Sequence, residues 1–311
     1  MSVGDGVMKR IACIGECMIE LFEDAASGSG TMRRTWGGDT LNSAVYLARE
    51  LAGTDAKVHY VTVLGDDPYS TEMLAGWAAE GIDTDLTERL PGALPGLYMI
   101  RVDERGERDF LYWRDRAAAR QLFITGEAER TLAELAGFDW LYFSGITLAI
   151  LSIEGRAKLM TLCQAVRGRG GQVVFDSNFR PGLWPDREEA RAVIGLAWRQ
   201  ASVALPTFED EAALFGDEDA AATVARLRND GCGEIIVKRG AEPCIVALAN
   251  GVTEIEANPV STVIDSTAAG DSFNAAYIAA RVAGQSPGEA AKAGHVLASR
   301  VIGHRGAIIR T

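Results

Sequence analysis

Short stretches rich in β-branched and aromatic residues recur at residues 11–15, 58–64, 140–145, 173–176, 203–206 and 235–238. Between them, apolar side chains return every three or four residues at 40–51, 71–80, 154–169, 187–200, 220–229, 271–282 and 287–302, the spacing that gives a helix one buried stripe. Strands alternating with helices in this way predict an α/β fold whose mostly parallel sheet lies between helix layers. One segment breaks the alternation. Residues 97–102 and 108–113 read as extended strands joined by the turn-like Asp103-Glu104-Arg105-Gly106, which predicts an antiparallel hairpin standing off the main sheet. The connections are short, without low-complexity runs or internal repeats, so the pattern predicts one α/β domain over 1–311 with a small β lid.

Composition adds exclusions. The chain has 311 residues, 48% of them hydrophobic and 24% charged, with a formal net charge of -12. That charge speaks against a non-specific nucleic-acid partner or an anionic membrane partner, both of which reward a positive field. Any phosphate site must then be a local island of cations and backbone N–H groups. The five cysteines are odd in number and contain no C-x-x-C pair, which predicts reduced core residues. The apolar run at 11–22 is interrupted by Glu16 and Glu20 and has no small-residue cleavage site after it, so it reads as neither a signal peptide nor a membrane span. The expected location is the cytoplasm.

The segment Asp265-Ser266-Thr267-Ala268-Ala269-Gly270-Asp271 carries the candidate chemistry. Phosphoryl transfer needs donors aimed at phosphate oxygens, a group that positions or deprotonates the attacking hydroxyl, and a metal ion to offset charge. Ala268, Ala269 and Gly270 are small enough to let backbone N–H groups approach an anion, and the helical pattern that follows points its positive end at the same place. Asp271 at that junction should stay ionised and can accept a proton from an alcohol. Taken alone, the same residues also read as a helix cap and its turn. There is no G-x-x-x-x-G-K-[ST] loop, no protein-kinase H-R-D set, and no G-x-G-x-x-G joining an N-terminal strand to a helix, which removes the usual nicotinamide fingerprint.

This loop resembles the C-terminal signature of the ribokinase-like (PfkB) carbohydrate kinases, D-T-x-G-A-G-D, whose last residue is the catalytic aspartate. Three further motifs occur in the family's order: Gly37-Gly38-Asp39-Thr40-Leu41-Asn42 with Gly65-Asp66-Asp67 after it, Asp176-Ser177-Asn178-Phe179-Arg180, and Lys238-Arg239-Gly240-Ala241. Gly15-Glu16-Cys17-Met18-Ile19-Glu20-Leu21, Pro95-Gly96-Leu97-Tyr98, Tyr112-Trp113-Arg114, Gly294-His295 and Arg305-Gly306-Ala307 are similar to the branch of that family acting on 2-keto-3-deoxygluconate. The chain departs from the broad pattern at Ser266, Ala268 and Pro243; alanine at 268 matches the branch.

The resemblance implies a ribokinase-like fold with a lid built from segments around 16–37 and 96–114. It implies ATP-dependent phosphorylation of 2-keto-3-deoxygluconate to the 6-phosphate, in sugar-acid breakdown of the Entner–Doudoroff type. Asp271 is then the catalytic base, and Gly37, Gly38, Asp39, Asn42, Tyr98, Tyr112, Arg114 and Arg180 bind the substrate with it. Asn178, Arg180, Lys238, Gly240, Ala268, Ala269, Gly270 and His295 serve the nucleotide. Mg²⁺ accompanies ATP, with no motif naming its ligands, and a monovalent cation such as K⁺ sits behind the anion hole at Asp265 unless that residue only braces the loop. A kinase of a neutral sugar such as fructose or ribose, or a catalytically silent sugar-binding protein, are the alternatives. Arg114 separates the first, since a neutral sugar offers it no carboxylate. The lid aromatics need burial, which a second copy in a homo-oligomer would supply.

Overall fold

The computed structural model describes residues 8–23, 30–102 and 108–309. Its elements in order are β1 (Lys9–Ile14), β2 (Met18–Glu23), β3 (Met32–Gly37), α1 (Asp39–Glu50), β4 (Ala56–Val61), β5 (Val63–Gly65), α2 (Pro68–Ala79), β6 (Glu88–Leu90), β7 (Gly96–Val102) and β8 (Arg108–Trp113). Next come α3 (Ala128–Leu135), β9 (Trp140–Ser144), α4 (Gly145–Ile150), α5 (Ile153–Gly168), β10 (Gln172–Asp176), α6 (Arg187–Gln200) and β11 (Val203–Ala204). The chain ends with α7 (Phe208–Phe215), α8 (Ala220–Asn229), β12 (Glu234–Arg239), β13 (Glu242–Leu248), β14 (Gly251–Ile255), α9 (Ala269–Val282) and α10 (Pro287–Val301).

Eight strands form the main sheet in the order β14-β13-β12-β11-β10-β9-β1-β4. The six from β12 to β4 run parallel, and β13 and β14 add an antiparallel edge. Both faces are covered. Along β1 and β9, Ile11, Cys13, Trp140 and Tyr142 join the core under α1, α9 and α10, while Ala12, Ile14, Leu141 and Phe143 join the one under α5, α6 and α8. This strict alternation between two dry faces is why parallel strands read as unbroken apolar runs. All five cysteines are free and buried within it.

From β1 the next parallel neighbours lie on opposite sides, β4 on one and β9 on the other, so the strand order reverses there and a crevice opens beyond the carboxyl ends. A second sheet, β3-β2-β7-β8, stands over that crevice as the lid. In it β7 and β8 form the expected antiparallel hairpin, with Tyr98 opposite Tyr112 and Leu97 opposite Trp113. The turn expected at 103–106 lies outside the described residues. One sequence expectation needs correction: the run at 58–64 is not one strand. It divides into β4 in the main sheet and β5, which pairs with β6 in a separate two-stranded sheet. Among the described residues, no helix is long and apolar enough to cross a membrane.

Candidate active site

The loop before α9 is pinned from behind. Ile264 and Asp265 donate their N–H groups to the Ile302 carbonyl at 2.8 and 3.2 Å. The Asp265 carboxylate accepts from the Thr267 amide at 3.1 Å, the Thr267 hydroxyl at 2.5 Å and the Gly306 amide at 2.8 Å. These contacts make Asp265 a brace. Helix α9 starts at Ala269, and Ala268, its N-cap residue, has no side chain able to cap it. The Ala269 N–H donates to the Ser266 carbonyl at 3.2 Å, and those of Gly270 and Asp271 are left for an external anion.

Asp271 is the third residue of α9 and not its cap, contrary to the position expected from sequence. Its Oδ2 accepts from Asn42 Nδ2 at 2.8 Å. Its ionisation also differs from expectation. Burial first, then the neighbouring Asp39 and Asp176 carboxylates, raise its pKa well above the usual carboxylate range against the opposing pull of Asn42 and Lys238. In the free protein this side chain holds its proton more tightly than an exposed aspartate does.

Helix α1 brings the second group of residues. Gly38 has an extended backbone, and a Cβ there would stand 2.1 Å from the Glu16 carbonyl, so only glycine lets the root of the lid press on the helix start. A Cβ on Gly37 would meet the Tyr98 hydroxyl at 2.7 Å. Asp39 Oδ2 accepts from Asn178 Nδ2 at 2.7 Å, which ties α1 to the end of β10. Asn178 has φ of 30°, a left-handed conformation that asparagine tolerates better than most residues, and its amide donates to Asp176 Oδ1 at 3.2 Å. The turn aims Arg180 outward, where its Nη1 bonds the Phe179 carbonyl at 3.0 Å and lies 3.6 Å from Asp210.

The lid closes the far wall. Arg114 is buried and ion-paired with the equally buried Glu16, while Tyr98 donates to Glu20. Burial outweighs the guanidinium and leaves the Glu16 pKa raised. The guanidinium carbon of Arg114 lies 5.7 Å from the centre of the Tyr112 ring. A cavity of about 360 Å³ between lid and sheet is lined by Gly38, Asp39, Asn42, Tyr98, Tyr112, Arg114, Asn178, Arg180 and Asp271, together with Glu16, Met18, Thr267 and Ala307.

Several residues assigned to the nucleotide lie outside this cavity. Lys238 is buried, bonded to Asp176 at 2.7 Å and Asn274 at 3.0 Å, and its Nζ is 3.6 Å from where a Cβ on Gly270 would stand. It therefore sits under the open turn of α9 beside Ala268, Ala269 and Gly270. Gly240 occupies the turn between β12 and β13 with φ of 59°. His295 lies on α10, edge-on to Phe273 at 5.1 Å, where burial lowers its pKa. Sequence reasoning passed over Glu16, Glu20, Asp176 and Asp210. Glu16 and Glu20 were visible as two acids interrupting an apolar run, Glu16 in the turn between β1 and β2 and Glu20 within β2. Their partners, far along the chain, were not.

Comparison with known proteins bears on the same arrangement. The model of the "pfkB family carbohydrate kinase" matches residues 8–311. The chain is 48% identical over 304 residues to the 2-dehydro-3-deoxygluconokinase of Escherichia coli (strain K12), covering 97% of each protein. It is 46% identical to the 2-dehydro-3-deoxygluconokinase of Dickeya dadantii (strain 3937), again over 97% of both. Among solved structures, the PfkB protein from Polaromonas sp. JS666 superposes with a TM-score of 0.81 at 28% identity, covering 94% of this chain and 95% of that one. The ribokinase-like fold expected from sequence holds, and with the family model spanning the four motifs, the lid and the loop at Asp271, the chain belongs to the pfkB family of carbohydrate kinases.

Proposed function

We propose that this enzyme transfers the γ-phosphoryl group of MgATP to the 6-hydroxyl of 2-keto-3-deoxygluconate, giving ADP and the 6-phosphate. The observation that carries the reading is one cavity with Asp271, at the open first turn of a helix, on one wall and a buried arginine, Arg114, on another. High identity over the full length to two 2-dehydro-3-deoxygluconokinases supports the substrate.

The chemistry follows from the geometry. Asp271 takes the proton of the 6-hydroxyl as the new O–P bond forms and the bond from the γ-phosphorus to the β,γ-bridging oxygen breaks. A base with a raised pKa suits proton abstraction from an alcohol at neutral pH. Asn42 holds the Asp271 carboxylate in one orientation, and the open N–H groups of Gly270 and Asp271 receive the negative charge. Arg180, weakly held at 3.6 Å from Asp210, is free to swing onto the transferring group. Arg114 binds the substrate carboxylate: Glu16 occupies Nη2, while Nε has no partner among the described residues. Asp39, Tyr98 and Tyr112 supply oxygens for the hydroxyls. Lys238 and Gly240 flank the nucleotide side, with His295 further out on α10.

Among the described residues no cluster of three or more His, Cys, Asp or Glu side chains could hold a metal ion. Mg²⁺ binds mainly through ATP phosphates and water, with one or two carboxylates. Asp210 is the suitable one: its Oδ2 accepts from the Phe179 amide at 3.2 Å, it lies 3.6 Å from Arg180, and burial pushes its pKa to about 6 against the pull of Arg180 and Lys238. When bound, Mg²⁺ offsets charge on the phosphates. The whole chain acts as one catalytic unit in the cytoplasm, where ATP is held. The exposed Leu111 and Trp113 on the outer face of the lid favour a homo-oligomer that covers them.

An ADP-release assay over a panel of keto acids and neutral sugars tests the reading. Turnover of 2-keto-3-deoxygluconate should exceed that of fructose and ribose; the reverse order would sink it.

A further inference from the structure

Behind the active site, five buried polar side chains from five different elements make one connected network. Ser43 on α1 donates to the Asp271 carbonyl at 3.1 Å and stands 3.2 Å from the Tyr142 hydroxyl. Asn274 Nδ2 donates to that hydroxyl at 3.1 Å and to Asp176 Oδ2 at 2.6 Å. Lys238 Nζ closes the circuit onto Asp176 at 2.7 Å and Asn274 Oδ1 at 3.0 Å. Ser43 and Asn274 are fully buried, and Tyr142, Asp176 and Lys238 nearly so.

Such a network is costly unless every member is satisfied. Its position suggests what it does. The buried side of α9 packs Ala275, Ala276, Ala279 and Ala280 together with the larger Phe273, Tyr277 and Ile278, and its far end is tied to Glu234 by Tyr277 and Arg281. Apolar packing is non-directional and sets no hydrogen-bond geometry at the first turn. The bonds of the network do, and they converge on the Asp271 carbonyl and on Asn274, one turn further along. The reaction that they would serve is intolerant of displacement, because the attacking oxygen must meet both Asp271 and the anion-binding turn.

We propose that Tyr142 and Asn274 are positioning residues, which through Ser43, Asp176 and Lys238 fix the axial position of α9 and hence of Asp271 and the open N–H groups of the helix's first turn. The proposal rests on the kinase reading above for its kinetic consequence, but not for its structural one. Tyr142 is buried and does not line the cavity, so its loss should act on rate and spare affinity.

Tyr142→Phe removes one hydroxyl and leaves the ring in the core. Its kcat should fall about tenfold while the KM values for ATP and the keto acid stay within about twofold. Amide hydrogen exchange across residues 268–271 should quicken by about the same factor. Ser43→Ala should behave alike and serves if Tyr142→Phe does not fold. The double variant should be no slower than the slower single one, since both cut the same path. A lower Tm with unchanged kcat and unchanged exchange would reduce the network to a purely structural role and overturn the proposal. So would a KM for ATP that rises in step with the loss of rate, which would assign the network to nucleotide binding. Failure of the wild-type enzyme to release ADP with the keto acid would sink the proposed function instead, and the exchange measurement would still decide on the network.

Discussion

The main sheet and the lid are both β-sheets lining one cavity, yet they are held together by different means. Strands β9 and β10 are dry on both faces, with Leu141, Phe143 and Phe175 on one side and Tyr142 and Val174 on the other. Among the described residues the lid's own core is Met18, Tyr98 and Ile100 with Phe22 and Phe110 packed against it, while Ile19, Leu21, Trp36 and Leu97 join the core under α1, α9 and α10. Its inner face carries Glu20, Tyr98 and Tyr112, and its outer face leaves Leu111 39% and Trp113 56% exposed. The phosphoryl end of the site is thus built on the part of the molecule that apolar burial makes rigid. The acid-recognising end is built on a sheet with a much smaller core of its own and a partly exposed outer face. Rate should be sensitive to the first region and selectivity to the second.

The largest effect belongs to the rigid end. Asp271→Asn should lower kcat by roughly 10²–10⁴-fold, the usual size of a lost general base, while calorimetry still finds both ligands bound. Asparagine keeps an oxygen for the Asn42 amide, so a loss of binding would mean that the residue positions substrate more than it moves a proton. Stability divides the two regions in the same way. Phe175 is fully buried between Phe143 at 5.0 Å and Trp198 at 4.5 Å, and Phe175→Ala should cost about 3–5 kcal/mol in denaturant unfolding. Tyr112→Ala, in a side chain half exposed on the lid, should instead raise the KM for the keto acid and leave the unfolding midpoint nearly unmoved. Comparable losses of stability from the two would erase the distinction.

Arg114→Leu tests the lid more directly. It should raise the KM for the keto acid by roughly 10- to 100-fold, as expected for a lost charge-assisted contact, and leave any weak turnover of a neutral sugar alone. It also strands Glu16, a buried acid with a raised pKa, which will answer by taking a proton. Equal weakening of acid and neutral substrates would show that Arg114 holds the lid and not the substrate.

The contrast between the sheets also governs what could be read from the sequence. β9 and β10 were plain because strands buried on both faces are apolar throughout, and α6 and α8 run where the apolar spacing placed them, with Asp186 and Asp219 capping their starts. β2 and β3 gave no such pattern: Glu20 is a buried acid within β2, and Arg33 and Arg34 are exposed neighbours on β3, so neither strand is an unbroken apolar run. β13 was hidden by Pro243 at its start. The division of 58–64 into β4 and β5 was invisible, since both halves are apolar and only their partners differ. In the site, the small residues around Asp271 marked the loop. The proton affinity of Asp271 did not show, because Asp39 and Asp176 reach it from other elements. For the same reason the pairing of Arg114 with Glu16, 98 positions away, left no local trace.

That proton affinity yields the smallest and cleanest test. An aspartate whose folded pKa lies above its unfolded value of about 3.9 binds more protons in the native state between those two values. Its contribution to stability is therefore full below the unfolded pKa and is lost as pH rises through the raised one. Asp210 and Glu211, pushed to about 6 and about 7 by burial, act in the same sense. They are present in both proteins, so a comparison of wild type with Asp271→Asn cancels them. The variant should melt near the wild type at pH 4 and roughly 2–4 °C higher at pH 8, about what 1 kcal/mol is worth in a chain of this size. A difference independent of pH would mean that the free enzyme already holds Asp271 ionised, with Lys238 offsetting the burial. The acidic limb of the rate profile, where a general base takes up its proton, would then belong to another group.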